Sequence, residues 1–388
     1  MPLIQSIVDR HPEMTTWRRS LHAHPETAFE EVRTAAFVAA KLRAFGFSVT
    51  EGLARTGVVG SLSNGDGPAI GLRADMDALP IAEAGQIAHR STVAGKMHAC
   101  GHDGHTAMLL GAAQYLAASR QFRGTVHLIF QPAEENEGGG RVMVEEGLFD
   151  RFPVAAVYGL HNWPNMPAGS MALRAGPLMA ACDAFEIIVE GKGCHGAMPH
   201  LGTDAIVAAA AIVGALQTVV SRSINPYDAA VVSVTQFSAG DTWNVIPEQA
   251  VLRGTTRSFR PEVQSIVAAT LARVASDTAA AHGCVARVDY RRQYPATVNE
   301  PAATEIAARA AMAVVGEERV ELAPTPSMGA EDFAYMLQRC AGCYVWLGSG
   351  RSDGDAGLHN AHYDFNDAVL PIGASYWATL VEQNLPIK

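Results

Sequence analysis

Apolar positions between Met14 and Phe45 recur at helical spacing, with Trp17, Leu21, Ala28, Phe29, Val32, Ala36 and Ala40 on the repeat, and Gly46 stops the run. Short apolar runs at Val58 to Leu62 and Ile70 to Leu72, set between Gly, Asn and Asp turns, predict strands. An Ala-rich apolar stretch from Thr106 to Leu116 predicts a helix. Strands are predicted at Thr125 to Phe130 and at Ala155 to Leu160, the latter ending in His161. Strands alternating with helices imply an α/β fold with a mixed, largely parallel sheet flanked by helices.

From Asp183 to Gln293 the rhythm changes. Strands are predicted at Phe185 to Glu190, Ala230 to Phe237, Ala250 to Phe259 and Val285 to Tyr290. Helices are predicted at Asp204 to Ser221 and Pro261 to Ala281, the second with Pro at a favourable first position. The order βαββαβ is that of a ferredoxin-like module. Residues 183–293 therefore read as a smaller α+β domain inserted into a larger one formed by residues 1–182 and 294–388.

Composition narrows the class. Hydrophobic residues make up 48% of the 388 and charged residues 18%, enough apolar material for large cores. The net charge is −10 and no Lys/Arg run occurs, which argues against a nucleic-acid partner. Six scattered cysteines do not form a disulfide framework, so a reducing, cytoplasmic setting is expected. The stretch MPLIQSIVDRHPEM lacks the basic start, apolar core and cleavage site of a leader. The longest apolar run, Ala205 to Val220, is broken by Gly214 and Gln217 and falls short of the ~20 residues of a membrane span. A helix packed on a sheet, with no membrane partner, is the expectation.

Candidate chemistry lies in four pieces. His98-Ala-Cys100-Gly-His102-Asp103-Gly-His105 gathers three imidazoles, a thiol and a carboxylate, with Gly101 and Gly104 expected to let the backbone turn between them. Gln131-Pro-Ala-Glu134-Glu135 puts two adjacent carboxylates after a strand, where α/β sheets gather ligands. One of the pair can bind metal while the other moves a proton. Gly-Leu-His161-Asn and Gly-Leu-His359-Asn each present an imidazole, expected just after a small turn. Structural zinc sites are closed Cys/His sets with short spacings, whereas these residues are dispersed and include a spare Glu, so catalysis is the better reading. A Cys, three His and a Glu exceed one tetrahedral ion, which implies two ions sharing a ligand.

Taken in order, HACGHDGH, QPAEE, GLH, CHGAMPH, NVIP and GAEDF resemble the zinc-dependent amidohydrolase branch of the aminoacylase/carboxypeptidase metallopeptidases, which includes hippurate hydrolases and indole-acetyl-amino-acid hydrolases. The resemblance implies Cys100, His102, Glu135, His161 and His359 as metal ligands and Glu134 as general base. It implies His195 as the residue that polarises the substrate carbonyl, and Asn244 and Arg257 as groups that hold the substrate. Asp75 and Asp77, in a stretch that resembles a family signature, are expected to support the ligating imidazoles. Implied with them are two divalent ions per chain, zinc first and manganese, cobalt or nickel next, a small N-acyl amino acid substrate, and a homodimer or higher homo-oligomer through the inserted lid. Two alternatives use the same residues: a dipeptidase or carboxypeptidase, and a non-catalytic binding module, which would be marked by loss of the spare Glu or of several ligands. Glu331-Asp332 could support the site or simply start a helix. Cys340 and Cys343 are expected to be structural thiols.

Overall fold

The computed structural model describes residues 3–351, 354 and 356–387. Met1 and Pro2, which open the stretch examined for a leader, lie outside the described residues. The chain forms two compact units. One comprises Met1–Leu178, Val298–Thr325 and Asp332–Lys388; the other comprises Met179–Thr297 and Pro326–Glu331. The second unit thus takes in a short return segment that the periodicity does not separate from the larger domain.

The larger unit is built on an eight-stranded mixed sheet. Its central strands, Gly124–Gln131, Ala69–Asp75, Ala156–Pro167 and Gly342–Gly350, run parallel to one another. Three of them, and Ala156–Pro167 up to Asn162, are buried almost throughout, as expected of strands covered on both faces. Antiparallel strands extend the edge, Gly57–Asn64 and then Ser48–Leu53. The polar, half-exposed sequence SVTEGL hides this outermost strand from a reading based on apolar runs. Helix His102–Ser119 is buried along most of its length and packs against His11–His22, Leu370–Asn384 and strand Ala69–Asp75.

Two local expectations are corrected. The helix expected from Thr106 starts at His102, so His102 to His105 form its first turn rather than a loop. Gly101 does turn the chain, at φ 96°, but Gly104 is helical. Its role is close approach, because a Cβ there would lie 2.3 Å from the Phe365 ring. The first Gly-Leu-His-Asn copy lies inside the strand Ala156–Pro167, with no turn before His161. Only the second copy bends, with His359 at φ 62°.

The smaller unit has a four-stranded antiparallel sheet. Its spatial order is Ala230–Ala239, Gln249–Ser258, Ala181–Glu190, Val285–Tyr294, which is the ferredoxin-like arrangement. Helices Ala205–Ser223 and Pro261–Ala281 pack on this sheet and on each other. Ala205–Ser223 runs past Val220 and, by length and composition, is long and apolar enough to cross a membrane. Its Ala205, Ala208, Ala209, Ile212, Leu216 and Val219 are buried at helical spacing in the unit's core, and Asp204 caps its first turn through the N–H groups of Ile206 and Val207.

Candidate metal centre

The parallel strands deliver polar groups to their carboxyl ends, the edge where such sheets bind ligands. Asp75 ends one strand in register with Gln131, the last residue of the next. The chain after Gln131 turns through Ala133, at φ 54°, and presents Glu134 and Glu135. His161 comes from the neighbouring strand and Cys100 from the residue before Gly101. The backbone N–H of His359 donates to the Ala99 carbonyl at 2.7 Å, which docks the second Gly-Leu-His-Asn turn beside Cys100.

The donor atoms converge. In one group Cys100, Glu135 and His359 offer ligand atoms within 4.8 Å of one another, and in another His102, Glu134 and Glu135 do so. Glu135 belongs to both. Cys100 Sγ lies 3.4 Å from His161 Nε2, which joins His161 to the first group. His359 Nε2 is 3.1 Å from Glu135 Oε1, an ion-pair distance, yet that oxygen makes no aligned hydrogen bond. His102 Nε2 is likewise buried without a hydrogen-bond partner.

Supporting groups fix the orientation of these donors. Asp77 Oδ1 sits 3.1 Å from His102 Nδ1, and its other oxygen accepts the Glu135 N–H at 2.9 Å. His161 Nδ1 lies 2.7 Å from the Asn162 carbonyl, leaving Nε2 toward Cys100. A buried imidazole with one nitrogen held and the other unpartnered is the arrangement a metal-ligating His adopts. With thiol, imidazole and carboxylate donors together, this set fits one or two divalent ions of the zinc type.

Electrostatics follow from burial. Burial pushes the Cys100 thiol well above its ordinary value, and Glu135, Glu134 and Asp75 add to that. Burial lowers His102, but Asp75 and Asp77 outweigh it and bring it up to about 10. Burial and His105 hold His161 well below the usual imidazole range.

A third group, Asp75, His102, His105 and His161, reads differently. His105 has both nitrogens engaged, by Asp75 at 2.6 Å and Asn162 at 2.7 Å. Asp75 Oδ2 accepts from Arg73 at 2.8 Å. His105, Asp75 and Arg73 are thus a buried frame behind the donors. His98 is buried but joins none of the donor groups. No local motif gives Asn162 or Arg73 a role, and the sequence leaves that of Asp332 open. Asp332 accepts from Arg73, Gln131 and the Gly140 N–H at 3.1, 2.8 and 2.7 Å, and its own N–H lies 3.4 Å from Glu134 Oε1. Burial pushes Cys340 and Cys343 up to about 12, which suits inert thiols.

His195, Asn244 and Arg257 belong to the smaller unit. Cys194–His195 pairs with Val245–Ile246, and the Gly196 N–H donates to the Asn244 carbonyl at 2.8 Å, so His195 and Asn244 are neighbours on a short exposed ladder. Arg257 lies apart on the main sheet, donating to the Met328 and Thr256 carbonyls.

Comparison with known proteins gives a consistent result. The pattern of peptidase family M20/M25/M40 matches residues 71–383. Hippurate hydrolase of Campylobacter jejuni is 40% identical over 383 residues, covering 98% of both chains. N-acetylcysteine deacetylase of Bacillus subtilis is 39% identical, covering 95% of this chain and 96% of its own. Among solved structures, a dinuclear metal binding peptidase from M20 family of Bacillus subtilis superposes with a TM-score of 0.84 at 36% identity, covering 98% of this chain and 99% of that one.

Proposed function

The chain belongs to peptidase family M20/M25/M40, and on the premise that it is an amide-bond hydrolase of that family we propose that it cleaves N-acyl amino acids at a centre of two divalent ions. Cys100, His102, Glu135, His161 and His359 would hold the ions. The observation that carries this reading is that Glu135 joins the group of Cys100 and His359 to the group of His102, in which Glu134 also offers an oxygen without sharing the group of Cys100 and His359. Zinc fits a set with a thiolate best, with manganese, cobalt and nickel next. When bound, such ions bring the pKa of a water toward ~7 and polarise an amide carbonyl.

Glu134 takes the proton of the attacking water and passes it to the leaving amine, which needs a carboxylate close to the centre yet not consumed by it. His195 donates to the carbonyl oxygen as charge develops there. Arg257 and Asn244 hold the substrate carboxylate, a task that suits the planar fork of a guanidinium. Asp75 and Asp77 keep the imidazoles oriented. The named relatives, a hippurate hydrolase and an N-acetylcysteine deacetylase, both support an acyl group on an amino acid as substrate.

A panel of benzoyl-, acetyl- and indole-acetyl-amino acids, set against free dipeptides on metal-reconstituted protein, tests the substrate class. The N-acyl series should be turned over with much higher kcat/KM. Preference for free dipeptides would replace this reading with a dipeptidase.

The smaller unit also supports a homodimer. Met198, Leu201, Ile206, Val207, Phe237 and Trp243 are large apolar residues exposed on it, and strand Ala230–Ala239 is an edge of its sheet. Sedimentation should give twice the monomer mass. Mixing a His195→Ala variant with a Glu134→Gln variant restores part of the activity if His195 serves the partner's centre, and none if it serves its own.

A further inference from the structure

Glu31 is fully buried and immediately precedes helix Val32–Ala44, yet its side chain does not cap that helix. Its carboxyl group binds three other segments instead. Oε1 accepts the N–H of Phe29 at 3.1 Å and the N–H of Ala133 at 2.8 Å. Oε2 accepts the Thr56 hydroxyl at 2.6 Å. Each of these segments carries a non-glycine residue in the left-handed region: Phe29 at φ 61°, Arg55 at φ 70° next to Thr56, and Ala133 at φ 54°. Such conformations persist where the surroundings over-determine them, and they cluster at working sites.

Ala133 is the residue directly before Glu134. Its N–H belongs to the peptide unit linking Pro132 to Ala133, so the bond to Glu31 fixes the start of the turn that carries Glu134. Asp332 restrains the same loop from elsewhere, through the Gly140 N–H and Gln131. Asp77 holds the Glu135 N–H. Glu134 is therefore hung between three carboxylates that grip backbone or neighbouring amides, and Glu31 is the one with no further tie to the donor set.

We propose that Glu31 is a positioning residue for amide hydrolysis, acting through the Ala133 N–H to set the direction of Glu134; the inference rests on Glu134 being the general base. Burial is the main reason Glu31 is held up to about 7, with Asp77 adding to it, so the protonated form is accessible. A neutral group can keep both N–H bonds, with the bond to the Thr56 hydroxyl reversed in direction. In Glu31→Gln the amide oxygen can accept both N–H groups and the amide nitrogen can donate to the Thr56 hydroxyl. Glu31→Ala removes the partner of all three, the Ala133 N–H and the Thr56 hydroxyl in a buried place.

The test is kcat, KM and metal content of Glu31→Ala, Glu31→Asp and Glu31→Gln, each made in the wild-type chain and in Glu134→Gln. Glu31→Ala should lower kcat by about tenfold to a hundredfold, the scale of a misplaced catalytic group, with KM and metal content unchanged. Glu31→Asp keeps the charge but falls one methylene short, and should lower kcat in the same direction if the alanine variant does not fold. Glu31→Gln should restore most of kcat. In Glu134→Gln, removing Glu31 should cost little more, because groups acting as a unit are non-additive. The proposal is overturned if Glu31→Ala slows Glu134→Gln by the wild-type factor, if Glu31→Gln falls as far as Glu31→Ala, or if Glu31→Asp keeps full kcat. A Glu134→Gln variant with wild-type turnover would instead overturn the base assignment itself.

Discussion

Most candidate residues of the larger unit and the His195–Asn244 pair of the smaller one are built on opposite terms, with His359 the exposed exception among the proposed metal ligands. Cys100, His102, Glu134 and His161 are buried, and a frame of further buried charges stands behind them. His195 and Asn244 are exposed on a two-residue ladder, and their side chains are tied only locally, His195 Nδ1 to the Ala197 N–H and Asn244 Oδ1 to the Thr242 hydroxyl. The difference matches the work proposed for each set. Groups that hold ions and move a proton gain from being fixed before substrate arrives, since reorganisation then costs nothing during reaction. Groups that meet the substrate must stay solvated and accessible until it binds.

Removing the metal should have the largest effect. Chelation is expected to lower turnover by roughly a thousandfold or more, because several kcal/mol of transition-state stabilisation would be lost. Activity should return with zinc or manganese. Full activity in protein shown to be metal-free by elemental analysis would remove the contrast between the two regions.

His195→Ala comes next. Loss of a donor to the developing oxyanion typically costs about 10²–10³ in kcat, and that loss should appear with metal content intact. Arg257→Ala should act on binding, raising KM by about tenfold to a hundredfold with a smaller change in kcat, as loss of a charge-assisted contact does. If Arg257→Ala lowered kcat alone, the residue would belong with the reacting groups and the contrast would blur.

The smallest effect concerns a second buried charged cluster of the larger unit, in which His22 Nδ1 lies 2.9 Å from Asp103 and Nε2 3.5 Å from Glu83, with Arg18 3.6 Å from Asp103. Burial lowers His22, but its hydrogen bonds to Asp103 and Glu83 outweigh that and bring it up to about 9 from 6.5. Arg18 opposes the charge from the same cluster, and the His89 and His98 rings lie 5.4 and 6.3 Å away. A raised folded-state pKa means that the stabilisation is fully present below pH ~6.5 and is lost as pH rises through ~9. The difference amounts to at most about 3 kcal/mol. Urea unfolding of wild type and His22→Gln across that window should show the wild type losing stability with pH and the variant losing less. Parallel pH profiles would show that His22 does not carry a charge in the folded protein.

Much of this is legible in the sequence itself. The βαββαβ order and the parallel strands follow from apolar runs of ordinary length, because burial on one or both faces writes itself into the sequence. Motif chemistry points to Cys100, the Glu134-Glu135 pair and His359, and the resemblance selects Glu135; Cys100, Glu135 and His359 come together from three distant segments. What stayed hidden was hidden for physical reasons. Strand Ser48–Leu53 is a polar edge, so no apolar alternation marks it. The HDGH segment is the first turn of a helix in which Gly104 leaves room for the Phe365 ring, a close approach between residues far apart in sequence. Arg73, Asn162 and Glu31 are polar residues whose burial depends on partners in other segments, and no local pattern announces such partners. For Asn162 the repeated Gly-Leu-His-Asn string is itself a signal, one that extends past the imidazole.

The central claim is a division of labour between two adjacent carboxylates, Glu135 holding metal and Glu134 moving the proton. Metal content and turnover measured on the same samples of Glu134→Gln and Glu135→Gln test it most directly. The account predicts that Glu134→Gln keeps its ions while turnover falls by about two to four orders of magnitude, the scale of a general acid–base group, and that Glu135→Gln loses bound metal. Metal lost from Glu134→Gln and retained with low turnover in Glu135→Gln would contradict it.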